Sequence, residues 1–297
     1  MVKSAHLEKD LPIDSLLQNI ANEDNCMILS FVAPDNPIRT SPVNYQYTSI
    51  WVADLYNIEE AIEKAGENLP ETLHLIIHTP GWEVYTTTKI SKYLRTKFKS
   101  ILAFVPYEAA SWWTMMCLMA DSIIMDSISN LTPIDPQVYY KWQYVWVWAY
   151  KKAINSLNKL FEKSTLAEVP PPYSSMCDKL DPVIKEEFDK KEMEWLLNAV
   201  SLLKWHVDPS KEFSIAYQLA IPQTTHNHVI DMNEATTIWL NVENWDKSDI
   251  YKVYKKRVKE LCSIQDKSWH TIKSFLPDKK LKDAPTPKPK WWEATPE

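Results

Sequence analysis

A chain of 297 residues can bury one sizeable core with a smaller helical appendage, and 45% hydrophobic with 24% charged residues is the balance of a globular protein. The formal net charge of −6 argues against nucleic-acid binding, which needs a clustered excess of Lys and Arg. No apolar run reaches the roughly 18–20 residues that span a bilayer, and Met1 to Asp10 is too polar for a signal peptide.

The cysteines Cys26, Cys117, Cys177 and Cys262 are scattered without a CxxC pair. That pattern fits reduced thiols in a cytoplasmic protein and not a zinc site. Two counts are abnormal. There are 2 Gly, where the usual ~7% would give about 20, and there are 14 Trp.

Along the chain, residues 1–25 read as a polar lead with a short helix near Ile13 to Ile20. Cys26 to Ala33 is an apolar run of strand length. Ile58 to Ala65 has helical spacing, with Gly66 as its C-cap. Leu73 to His78 is a second strand, and Val84 to Phe98 an amphipathic helix. Ile101 to Pro106 is a strand, Tyr107 to Ser111 a turn and Trp112 to Ala120 an apolar helix. Ser122 to Met125 is a further strand, followed by a loop over Ser127 to Gln137. Strand-turn-helix units in this order imply a mainly parallel sheet covered by helices. Tyr150 to Phe161 is another helix, and Pro170 to Pro172 breaks the chain. Asp181 to Lys204 and Ile250 to Cys262 read as charged helices outside the core. From Pro277 onward the Lys- and Pro-rich composition predicts disorder.

The division expected is therefore a lead over 1–25, a core over 26–163 and a helical appendage with the last part of the core over 164–276. A tail follows over 277–297.

Two segments carry chemistry: His78-Thr79-Pro80-Gly81-Trp82 after one strand, and Ala109-Ala110-Ser111-Trp112-Trp113-Thr114 after the next. A serine leading from a strand into a helix has an exposed hydroxyl, with orphan N–H groups behind it that can hold an oxyanion. The loop at Gly81 and Trp82 can supply a second donor. The plainer alternative is that Ser111 only caps the helix.

Read with glycine at three tryptophans, these segments become HTPGG and AASGGT. Asn130 to Gln137 (NLTPIDPQ) and Thr225 to Ile230 (THNHVI), then Glu234-Ala235, follow in order. Together they resemble the serine dehydrogenase proteinase family, relatives of ClpP and signal peptide peptidase A in the ClpP/crotonase superfamily, over roughly Cys26 to Val242. The resemblance implies an α/β superhelix of repeated β-β-α units with appended helices. It implies an ATP-independent serine peptidase that acts on peptides or unfolded proteins and assembles as an oligomer, without cofactor or metal. Ser111 becomes the nucleophile, with the N–H groups at Trp82, beside Gly81, and Trp112 at the oxyanion positions. A lysine base falls at Lys151, with Lys152 and His226 as alternatives. A lysine serves as base only if its pKa is lowered toward neutrality. His226 and His228 share a face of an extended segment and have no third metal ligand. An inert scaffold on the same fold and a crotonase-type acyl-CoA enzyme are the competing readings.

The departures fall on glycines. Trp82, Trp112, Trp113 and Trp239 stand where the family has Gly, and so does Thr132. A gene whose UGA codons mean glycine, translated with UGA as tryptophan, explains both abnormal counts. Trp142, Trp146, Trp205, Trp291 and Trp292 are further candidates; Trp51, Trp148, Trp195, Trp245 and Trp269 cannot be assigned either way. Genuine tryptophans would instead fill the site and leave it dead.

Overall fold

Apolar runs buried along their whole length are what interior strands of a parallel sheet require, and they set the architecture. The computed structural model describes residues 11–33, 52–79, 84–140, 142–165, 168–171, 173–177, 182–221, 228–263 and 271–278. Among these residues six strands form the main sheet, in the order β10-β1-β2-β3-β5-β9. They are β1 (Cys26–Val32), β2 (Thr72–His78), β3 (Ser100–Phe104), β5 (Ser122–Met125), β9 (Val242–Asn244) and β10 (Thr271–Phe275). All neighbours are parallel except β10, which pairs antiparallel with β1.

Side chains alternate between two cores, as the period of two demands. Met27, Leu29, Phe31, Leu73, Leu75, Ile77, Ile101 and Ala103 share one core. It is covered by α2 (Val52–Ala65), α3 (Val84–Lys97), α4 (Trp112–Cys117), α7 (Pro182–Leu203) and α8 (Pro209–Ala220). Cys26, Ile28, Ile76, Leu102, Phe104 and Ile124 belong to the other, under α1 (Ile13–Glu23) and α10 (Asp249–Ser263). Gly66 closes α2 at φ +51, the left-handed C-terminal position expected of it.

The repeating unit is β-β-α. Two-residue strands β4 (Glu108–Ala109) and β6 (Asn130–Leu131) pair in parallel outside the main sheet, and Thr79 bridges to Ala109. Thus β3, β4 and α4 form one unit, and β2, the Thr79 bridge and α3 another. The segments read as a turn and a loop contain these strands, which are too short to show alternation. A hairpin of β7 (Gln137–Tyr140) and β8 (Gln143–Trp146) precedes α5 (Val147–Phe161). The sequence marks this stretch only as loop and undefined chain.

Two helices expected outside the core are in it. α7 buries Phe188, Trp195, Leu196, Ala199, Leu202 and Leu203, and α10 buries Tyr251, Tyr254, Val258 and Leu261. Most of their charges face outward, but Arg257 of α10 is buried, with Asp14 of α1 at 2.9 Å. The remaining helices are α6 (Tyr173–Cys177) and α9 (Met232–Thr237). The end of the tail, from residue 279, lies outside the described residues. Among those residues no helix is long and apolar enough to cross a membrane.

Two turns are occupied by the wrong kind of side chain for their backbone. Tyr140 pairs with Gln143, so β7 and β8 are joined by a two-residue loop, and Trp142 in that loop has φ 69. Such loops favour left-handed residues, commonly Asn-Gly. At the end of α9, the Leu240 N–H donates to the Ala235 carbonyl at 3.1 Å and the Trp239 N–H to the Thr236 carbonyl at 3.0 Å. This pair of bonds is a Schellman motif, whose left-handed residue is usually glycine. Trp239 holds that position at φ 72.

Candidate active site

The site is built where β4 hands over to α4. Ser111 has φ 54 and ψ −109, a conformation that costs a residue with a side chain of order 1–3 kcal/mol and persists only where its surroundings fix it. The surroundings are two buried threonines. The Ser111 N–H donates to Thr132 Oγ1 at 2.7 Å. Thr114 Oγ1 lies 2.7 Å from the Ala109 carbonyl and 2.8 Å from the Thr132 carbonyl, and it accepts the Thr132 N–H at 3.1 Å. Thr79 adds a backbone tie, its carbonyl accepting the Ala110 N–H at 3.1 Å.

Ser111 makes no side-chain capping bond to α4. The Trp113 N–H, which a capping serine would take, donates to the Ala110 carbonyl at 3.0 Å. The Ser111 and Trp113 amides are thus engaged, and the Trp112 amide between them is the one the resemblance assigns to the oxyanion. The hydroxyl was expected to be exposed, but Ser111 is only 6% accessible. Thr132, Trp112 and Trp113 are buried as well.

Those tryptophans differ in how they pack. Trp113 meets Phe31 of β1 with ring centres 5.2 Å apart and planes at 57°, an ordinary aromatic contact. Trp112 and Trp195 of α7 are at 65° with centres only 3.6 Å apart, closer than the roughly 4.5–7 Å that such tilted pairs adopt. Two indoles are pressed into a space suited to one.

The other site candidates are distributed. Gly81, Trp82 and His226 lie outside the described residues. Lys151 and Lys152, on α5, line an open hollow of about 540 Å³ with Trp148, Glu192, Tyr217 and Ile221. Ser111 is not part of its walls. Lys151 pairs with Glu192 and, at 2.9 Å, with Asp189. Burial pulls the Lys151 ammonium toward losing its proton, but these two carboxylates outweigh it and hold the pKa above the ordinary lysine value. Lys152 lies 5.6 Å over the Trp148 ring. His228 Nε2 is bound by the Glu234 carboxylate at 2.8 and 2.9 Å. Asp135 is wholly buried. Among the described residues no group of three His, Cys, Asp or Glu could hold a metal ion.

The sequence did not disclose the carboxylates of α7 at Lys151, because the contact spans some 40 residues. It marks Thr132 only as a departure from a pattern; its hydrogen bond to Ser111 is not legible there.

A mostly parallel sheet covered by helices, with short β-β-α units beside it, is a ClpP-like α/β fold. Residues 14–266 match the model of the ClpP-like SDH-type serine proteinases, and the chain belongs to that family. It is 27% identical over 256 residues to the uncharacterized protein MJ0137 of Methanocaldococcus jannaschii, covering 84% of this chain and 81% of that one. A second protein of that organism, uncharacterized protein MJ1495, is 34% identical over 92 residues, 31% of either chain. Among solved structures, a mutant of the 1510-N membrane-bound stomatin-specific protease with a substrate peptide aligns at 13% identity and a TM-score of 0.37. That alignment covers 71% of this chain and 94% of the other.

Proposed function

We propose that this protein is an ATP-independent serine peptidase that cleaves peptide bonds through an acyl-enzyme on Ser111. The observation that carries the reading is the backbone of Ser111. A serine serving only to start a helix adopts an extended conformation and accepts an N–H of the first turn. Ser111 does neither, and a strained strand-to-helix turn is also how α/β-hydrolases hold a nucleophilic serine, which supports the reading.

In the proposed reaction Ser111 Oγ attacks the peptide carbonyl, and its proton passes to the base. The carbonyl oxygen becomes an oxyanion held by the Trp112 amide and one from the Gly81–Trp82 loop. Collapse breaks the C–N bond, the amine leaves with the proton, and water releases the acyl group. Lys151 is the proposed base. Its carboxylate partners keep it protonated in the resting arrangement, so it must separate from Glu192 and Asp189 before taking a proton. Substrates are peptides or unfolded proteins, and several copies of the chain assemble together. Hydrolysis of a casein-type substrate tests the reading: activity in the wild type and none in Ser111→Ala supports it, and equal activity in both overturns it.

The ordinary packing of Trp113 on Phe31 favours a second reading, an inert scaffold, if the tryptophans are what the host makes. The left-handed positions of Trp142 and Trp239 favour glycine instead, decoded from UGA. The masses of native peptides spanning 112–113, 142 and 239 separate the two. Glycine at these positions supports the peptidase, and tryptophan supports the scaffold.

A further inference from the structure

Thr132 stands at a position where the family resemblance has glycine, and a misread UGA yields tryptophan, never threonine. The residue therefore belongs to this chain under either decoding. A glycine there would have no hydroxyl to make the bond that Thr132 Oγ1 makes to the Ser111 N–H at 2.7 Å. Thr132 is 5% accessible and Thr114 fully buried. Their bonds also close on each other: the Thr132 N–H reaches Thr114 Oγ1 at 3.1 Å, and Thr114 Oγ1 faces the Thr132 and Ala109 carbonyls. The clasp joins the end of β4, the first turn of α4 and the chain after β6.

We propose that Thr132 is a positioning residue for the nucleophile, holding Ser111 in its left-handed conformation through the Ser111 amide. This rests on Ser111 being the nucleophile, as proposed above. Two consequences follow from the geometry. The Ser111 amide is occupied, so it does not serve the oxyanion, and that duty falls on the next amide, of Trp112. And relaxation of Ser111 toward an extended φ, where its hydroxyl would cap α4, requires breaking the bond to Thr132 first. In water-excluded surroundings a lost partner leaves a buried N–H unsatisfied, which disfavours that escape.

The test uses the full-length chain with Thr132→Val, nearly the same shape without the hydroxyl, and Thr132→Ser, which restores it. Two measurements are made. The first is the rate of labelling by a fluorophosphonate over a range of probe concentrations, in whichever form of the chain, Trp or Gly at 82, 112, 113 and 239, labels. The second is hydrogen exchange at the Ser111 amide. For Thr132→Val we expect the maximal labelling rate to fall about 10- to 100-fold, with the half-saturating probe concentration unchanged. Thr132→Ser should return it to within about threefold, and exchange at Ser111 should quicken by about tenfold or more in the valine variant alone. A merely structural role would weaken probe binding and labelling together, and serine would not rescue it selectively. Labelling by Thr132→Val at the wild-type rate, or failure of Thr132→Ser to restore it, overturns the proposal. If neither form of the wild type labels, the nucleophile assignment falls. The exchange measurement then decides the clasp by itself: unchanged Ser111 exchange in Thr132→Val refutes it, and faster exchange upholds it.

Discussion

Ser111 and the pair Trp142 and Trp239 share an uncommon backbone, all with positive φ, but they reach it under different constraints. Ser111 is buried and held from outside by Thr132, Thr114 and Thr79. Trp142 is 91% and Trp239 60% accessible. Their conformations are demanded by a two-residue hairpin loop and a Schellman motif, which any chain can satisfy with glycine. In the first case the surroundings impose strain on the residue. In the second the residue imposes strain on a common turn. A left-handed non-glycine residue is therefore informative about function only once the tertiary bonds that hold it have been identified.

The largest expected effects break the first half of that comparison. Ser111→Ala and Lys151→Ala should each lower peptide hydrolysis by about 10³-fold or more, since groups acting as one unit cost similar amounts when removed. Loss in Lys152→Ala or His226→Ala, with Lys151→Ala active, would move the base elsewhere. If Lys151 is the base, Glu192→Gln removes a charge that holds its proton. The rise of activity with pH, which follows deprotonation of the base, then shifts to lower pH in a pH–rate profile.

The other half is tested by stability. Trp142→Gly and Trp239→Gly should each raise the free energy of unfolding by about 1–3 kcal/mol, read from urea titration. At 239 the gain is reduced by up to about 1 kcal/mol, because Lys211 lies 4.1 Å over that ring. Ser111→Gly should also relieve strain, but with loss of labelling, a combination absent at 142 and 239. Destabilisation by both Trp→Gly changes would sink the assignment of these turns to glycine.

The opposite face of the sheet supplies a control with ordinary packing. There His74 Nδ1 meets the Tyr254 hydroxyl at 2.8 Å, and burial pushes its pKa down to about 3. A pKa lowered in the folded state means that the unfolded chain takes the proton first, so stability is lost as pH falls from about 6.5 toward about 3. Between pH 6.5 and 5 the loss is at most about 2 kcal/mol. His74→Gln should flatten that dependence in denaturant titrations without changing Ser111 labelling, and an unaltered slope would remove His74 as its source.

The legible parts of the fold were those with long uniform patterns. β1, β2 and α3 announced themselves because a mainly apolar or helically spaced pattern persisted for six residues or more. β4 and β6, of two residues each, exist only through pairing with distant chain. The hairpin of β7 and β8 was hidden because Trp142 stands where a turn residue would have marked it. α7 misled because its first half is charged, while the stripe of Trp195, Leu196, Ala199, Leu202 and Leu203 that buries it lies in the second. At the site, the strand-to-helix position of Ser111 was readable from local sequence. Its strain, the Thr132 bond and the carboxylates at Lys151 depend on contacts across 21 to 41 residues, which no local pattern records.

The central claim is that Ser111 is the nucleophile, and the most direct measurement is to locate a fluorophosphonate adduct by peptide mass spectrometry in protein from the native host. A single adduct is expected on Ser111, absent after denaturation before labelling and absent from Ser111→Ala. An adduct on another residue, or undiminished labelling of Ser111→Ala, would contradict it.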